Sequence, residues 1–274
     1  MPETCTYATH DGVALMADLY APTGAGPFPA LVAVHGGGWQ AGARSTFQYW
    51  GPYLAGHGYL LLAISYRLAK KGQKMFPQAV QDVLAAVQFV RARAQTLKVE
   101  PERIGLFGAS AGAHLAALAA LGGERFKGGY PNDEQASASA RVKALVGVYG
   151  VYDLVEMWQR YQLQSPRENN IENFMGASPM DDPRLYFDAS PINHVTFANN
   201  GMGMFLAVGT EDDLVNRRAH TDAFLLRLKQ ANFFARTCIV QGAPHYWLGD
   251  PIDEARSYSG FMAARLVRFL KERL

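Results

Sequence analysis

Apolar residues along this chain fall into short unbroken runs, and helical periodicity fills the intervals between them. Residues 30–34 (Ala-Leu-Val-Ala-Val), 59–65, 104–107, Ala144–Val148, 204–208 and 237–240 are runs of this kind. A few consecutive apolar residues bounded by Gly, Pro or charge mark a strand buried on both faces, the pattern of a parallel sheet. Between them, residues 78–94 carry Val80, Val83, Leu84, Val87 and Val90 at helical spacing behind Pro77, which predicts an amphipathic helix. Residues 113–121, 218–230 and Tyr258–Arg273 predict further helices. Strands alternating with helices give an α/β fold with a doubly wound, mainly parallel sheet. Ahead of that rhythm, residues 4–9 and Val13–Tyr20 flank Asp11-Gly12, the signature of a hairpin. Residues 151–200 break the rhythm. They are rich in Asn, Pro and aromatics and show no strand pattern, so they read as a lid or substrate-facing insertion. The 274 residues fit one domain, 1–274.

Composition narrows the class. Hydrophobic residues make up 49% and charged residues 18% of the chain, and the formal charge of +2 comes from interspersed acids and bases. Without a basic tract or stripe, neither nucleic acid nor an anionic membrane is the expected partner. The doublets Lys70-Lys71 and Arg217-Arg218 read as solvated loop or helix ends. Cys5 and Cys238 stand far apart with no Cys-x-x-Cys, against a disulfide framework or a zinc–thiolate site. The first residues hold no basic segment followed by an apolar one, and no apolar run is long enough to span a bilayer. The expected location is the cytoplasm.

The candidate chemistry begins at Gly108-Ala109-Ser110-Ala111-Gly112, between the 104–107 strand and the 113–121 helix. Small residues on both sides allow a sharp strand–turn–helix bend with Ser110 projecting from it, the arrangement of a nucleophile elbow. A serine hydroxyl needs a base, an acid behind that base and donors for the developing oxyanion. His35-Gly36-Gly37-Gly38-Trp39 directly follows the 30–34 strand. An isolated glycine triplet is a flexible turn. At a strand end ahead of Gly-x-Ser-x-Gly, Gly37 and Gly38 N–H, with Ala111 N–H, become the expected oxyanion donors. His245 follows the 237–240 strand and is the candidate base, with an intrinsic pKa suited to proton transfer in both directions. Asp212 follows the 204–208 strand and is the candidate acid, completing the chain order Ser, acid, His. Asp213 is the alternative acid, and Glu211 reads as solvated.

Other signals are weaker. Trp39, Tyr149, Tyr152, Trp158, Tyr246 and Trp247 lie near strand ends or the insertion, and could line a substrate pocket or simply pack. His114 falls on the helix after Ser110 and reads as local packing, and His35 as a brace for the glycine turn. His10, His57, His194 and His220 lack metal-ligand spacing, so no metal is expected. Residues 105–108 do not form a dinucleotide fingerprint, and no Ser-x-x-Lys starts at Ser110. No cofactor is expected.

Taken together these residues resemble the α/β-hydrolase superfamily. His35–Trp39 and residues 108–115 are similar to the hormone-sensitive-lipase-like, kynurenine formamidase-like and feruloyl/acetyl-xylan esterase groups. Tyr66-Arg67-Leu68-Ala69 and residues 76–82 resemble a stretch these groups share, where Arg67 and Asp82 would be structural. Lipase-like members carry a helical cap before the first strands. Residues 4–20 read as strands here, which favours the compact groups. The resemblance implies a serine carboxylic-ester hydrolase working through an acyl-enzyme on a small or medium substrate. Hydrolysis of an amide or formamide uses the same residues and stays open. A non-catalytic ligand-binding protein of this fold is the reading from another class, and it would have no need of Ser110, Asp212 and His245 together.

Overall fold

The computed structural model of the chain describes residues 2–126, 135–164 and 169–274. Eight strands form one sheet in the order β1-β2-β4-β3-β5-β6-β7-β8. They are β1 (Glu3–His10), β2 (Val13–Tyr20), β3 (Phe28–Val34), β4 (Leu60–Ile64), β5 (Val99–Ala109), β6 (Ala144–Val148), β7 (Gly203–Gly209) and β8 (Phe234–Val240). From β3 onward all neighbours pair in parallel, while the β1–β2 hairpin adds antiparallel to β4. Asp11 and Gly12 both take positive φ, 50° and 76°, as a two-residue turn matched to strand twist requires.

The expected strand runs are all present, and the doubly wound arrangement follows from how they are covered. In β3, Ala30, Val32 and Val34 enter one core, and Leu31 and Ala33 enter the other. The first core is closed by α2 (Gln78–Ala92), α4 (Ala111–Phe126) and α8 (Ala223–Gln230). The second lies under α1 (Trp50–Gly56) and α9 (Tyr258–Arg273). A sheet covered on both sides has no polar face, hence its unbroken apolar runs.

Several boundaries differ from expectation. The helix expected over 78–94 stops at Ala92, and α3 (Ala94–Leu97) follows as a separate turn ending at Lys98 with φ 54°. Strand β5 starts at Val99, because pairing with β3 resumes beyond Pro101 after a shift in register. Proline cannot donate to the ladder, so the strand bulges there. The 218–230 helix opens with a π-helical turn, Arg218–Asp222, before α8. Within residues 151–200 lie α5 (Leu154–Gln164), α6 (Asn170–Met175) and α7 (Pro183–Asp188), followed by two 3₁₀ turns. Residues 165–168 of that expected lid lie outside the described residues. No helix among the described residues is long and apolar enough to cross a membrane.

Candidate active site

The site lies at the carboxyl ends of β3, β5, β7 and β8, where the first core gives way to loops. Ser110 bridges β5 and α4 with φ 52°, a left-handed backbone that a serine adopts only when its surroundings impose it. Its N–H donates to the Val148 carbonyl at 2.9 Å, and its own carbonyl accepts from His114 N–H at 3.1 Å. The flanking glycines are required by close packing. A Cβ at Gly108 would stand 2.4 Å from the Gly112 carbonyl oxygen, and one at Gly112 would stand 2.1 Å from that of Val34.

Three side chains reach one another across the loops. Ser110 Oγ lies 3.0 Å from His245 Nε2, and His245 Nδ1 lies 2.8 Å from Asp212 Oδ2. The Asp212 carboxylate is fully buried, and its other oxygen accepts from Leu214 N–H at 3.1 Å and Val215 N–H at 2.9 Å. Asp213 and Glu211 are exposed. Sequence spacing left two acids open, and packing separates them. The His245 ring is flanked by Tyr149, with centroids 4.4 Å apart, and by Tyr246 at 4.5 Å.

The glycine turn is stiff. Gly37 takes φ 115° and Gly38 φ 57°, and the Gly37 carbonyl accepts from both Gln40 and Ala41 N–H. His35 packs as a brace: its Nδ1 lies 2.7 Å from the Gly36 carbonyl, and its ring stacks on Tyr66 at 4.5 Å. Burial pushes its imidazole below the ordinary range, opposed by that carbonyl. Trp39 is clamped by stacking on Phe174, and by donating from Nε1 to His114 Nδ1 at 3.1 Å. His114 is therefore more than local packing, since it holds the end of the glycine turn. Burial lowers its pKa to about 4, its bond to the Ala189 carbonyl opposes the shift, and the nearby His220 adds to it.

A cavity of about 210 Å³ opens over Ser110 and His245. Its wall includes Gly37, Gly38 and Ala111, the three residues expected to supply the oxyanion donors. Trp39 and Tyr246 line it. Tyr149, Tyr152, Trp158 and Trp247 are not among its lining residues, although Tyr149 lies against the His245 ring. Tyr149 and Trp247 meet edge to face in the second core, and Tyr152 stacks on Phe224 at 4.1 Å. Trp158 donates to Glu172 Oε1 at 2.6 Å, tying α5 to α6.

The BD-FAE family profile matches residues 17–225. The chain belongs to the BD-FAE family. Among its relatives is the probable carboxylic ester hydrolase LipM of Mycobacterium tuberculosis, 30% identical over 80% of this chain and 50% of LipM. Esterase LipQ of the same organism is 31% identical over 74% of this chain and 46% of LipQ. The chain thus spans about half the length of these curated relatives. The thermophilic esterase Est2 of Thermogutta terrifontis superposes with a TM-score of 0.79 at 25% identity, covering 99% of this chain and 92% of Est2. The acetyl ester-xyloside bifunctional hydrolase of Caldicellulosiruptor lactoaceticus shares the fold, with a TM-score of 0.81, 21% identity and coverage of 99% and 96%.

Sequence reasoning missed part of this BD-FAE site. Met157 and Tyr161 of α5 and Asn170 of α6 also line the cavity. The i, i+4 spacing of Met157 and Tyr161 was a readable cue, but nothing local says which face of α5 meets the serine.

Proposed function

We propose that this chain is a serine hydrolase of carboxylic esters acting through an acyl-enzyme. The observation that carries the proposal is the continuous contact from Ser110 Oγ through His245 to the buried Asp212 carboxylate. His245 Nε2 takes the serine proton as Oγ attacks the ester carbonyl carbon. The carbonyl oxygen gains the negative charge and is met by the N–H groups of Gly37, Gly38 and Ala111, the last at the positive end of α4. When the tetrahedral intermediate collapses, the C–O bond to the alcohol breaks and His245 returns its proton to the leaving oxygen. Water then attacks the acyl-serine with His245 again as base, releasing the acid and restoring Ser110. Asp212 keeps the imidazole in the required tautomer and offsets its transient positive charge.

The cavity sets the substrate class. At about 210 Å³ it lies below the usual range for drug-sized ligands, and Val151, Met157, Leu214 and Val215 give its wall an apolar part. Short aliphatic acyl groups fit such a space. Est2 from T. terrifontis has been seen with propionate and with butyrate bound, which supports the same class here.

The test is a fluorophosphonate label followed by peptide mapping, with a panel of aryl esters from acetate to octanoate and a matched N-formyl aryl amine. The expected result is modification of Ser110, loss of turnover in Ser110→Ala, and fastest hydrolysis of the short esters. Turnover surviving Ser110→Ala would overturn the proposal, and preference for the formamide would move it to the amide class. Asp212→Asn should lower kcat by about 10⁴ through the wrong histidine tautomer, while Asp213→Asn should retain most activity.

A further inference from the structure

We infer that Arg160, on the insertion helix α5, is a positioning residue for the acid of the relay. The inference rests on the hydrolase reading above. Asp212 Oδ1 accepts two hydrogen bonds, from Leu214 N–H at 3.1 Å and from Val215 N–H at 2.9 Å. Those two N–H groups belong to the peptide units that join Asp213 to Leu214 and Leu214 to Val215. The carbonyl ends of the same two units, Asp213 O and Leu214 O, are both held by the Arg160 guanidinium. Nε donates to Leu214 O at 2.9 Å, and Nη2 donates to Asp213 O. Two parallel chains therefore run from the guanidinium, through a carbonyl and its peptide N–H, to one carboxylate oxygen.

This arrangement has two physical consequences. A positive charge on the carbonyl end polarises each peptide unit, so its N–H becomes a stronger donor to the carboxylate. The planar fork also fixes the two peptide units relative to each other, which a single donor could not do. Leu214 and Val215 line the cavity from the acid loop, and Met157 and Tyr161 line it from α5. Arg160 lies between Met157 and Tyr161 on that helix. Seating α5 and setting the acid loop are thus one event: the helix that shapes the acyl wall also holds the carboxylate behind His245.

The experiment is a double-mutant cycle on the full chain with a short-chain p-nitrophenyl ester, taking Arg160→Met, Asp212→Asn and the pair. Misplacing the acid should cost Arg160→Met roughly ten- to a hundredfold in kcat, with KM little changed. In the Asp212→Asn background the same substitution should cost no more than about twofold, because the group it positions is already disabled. Arg160→Lys should recover only part of the loss, since an ammonium lacks the fork. The inference is overturned if Arg160→Met turns over at the wild-type rate, if its loss appears in KM, or if the full loss persists beside Asp212→Asn. Should Arg160→Met fail to fold by circular dichroism, Arg160→Gln carries the same cycle with the same outcomes. Unchanged hydrolysis in Ser110→Ala sinks the hydrolase reading itself, whereas an inert Ser110→Ala beside a fully active Arg160→Met sinks this inference alone.

Discussion

Ser110 was legible in the sequence because everything its bend requires lies within five residues. The glycines at 108 and 112 are dictated by carbonyl oxygens that leave no room for a Cβ. Asp212 was legible only up to its neighbour. Spacing put two carboxylates in one loop, and burial with two backbone donors marks the one facing His245. His114 was not legible, because its partners Trp39 and Ala189 each lie 75 positions away. Its role makes a pH prediction. Inside the fold its pKa falls to about 4, below the ordinary 6.5. Between those values the unfolded chain binds a proton that the folded chain refuses, so stability falls as pH drops from 6.5 toward 4. The share belonging to His114 is about 3 kcal/mol. His35 and His194 are pushed the same way by burial, so the total slope is larger, and a variant isolates the single residue. Urea unfolding of His114→Gln, whose amide can still accept from Trp39 and donate to Ala189, should show a slope shallower by that amount. A slope equal to the wild type would mean that His114 is charged in the native protein.

At the scale of elements, the strands announced themselves because a sheet covered on both faces needs continuous apolar runs. The insertion between β6 and β7 gave no such sign. Helices α6 and α7 are six residues each, too short to show a period, and what starts them is a cap: Asn169 accepts from Ile171 and Glu172 N–H, and Asp182 from Leu185 N–H. Only α5 is long enough to be amphipathic, and its inward face is the cavity wall. Met157 is buried there. Met157→Ala should lengthen the acyl pocket along α5 and shift the chain-length preference of ester hydrolysis upward. Each additional methylene that becomes buried is worth about 0.8 kcal/mol, or roughly fourfold in kcat/KM. The p-nitrophenyl ester series checks this. A preference unchanged in Met157→Ala, with the protein folded, would place the acyl group against another wall.

For the whole molecule, Ser110, Asp212 and His245 gather at the carboxyl ends of the parallel strands, and the antiparallel hairpin β1–β2 must be fastened to the sheet from outside. Asp82 on α2 does much of this. Its carboxylate is fully buried, lies 2.7 Å from His10 Nδ1, and accepts from Arg67 N–H at 2.8 Å and from Arg67 Nη2 at 2.7 Å. Arg67 also reaches Asp11 in the hairpin turn and the Gln78 carbonyl at the start of α2. One carboxylate thus joins the hairpin, the segment after β4 and α2, in keeping with the structural role that resemblance implied for Arg67 and Asp82. None of these groups lines the cavity, so their loss should register in stability before activity. Asp82→Ala leaves the Arg67 guanidinium, only 9% exposed, without its main counter-charge, and removes the carboxylate beside His10 Nδ1. Breaking a buried pair from one side costs about 3–5 kcal/mol, whereas replacing all partners with apolar groups of similar volume costs far less. Urea unfolding of Asp82→Ala should show that loss, and a triple replacement of His10, Arg67 and Asp82 by Phe, Met and Leu should recover most of it. A loss below about 1 kcal/mol would put the cluster on a par with a surface ion pair. The hairpin would then be held to the sheet chiefly by its β2–β4 ladder, its apolar contacts and bonds such as that from Tyr7 OH to the Ser65 carbonyl.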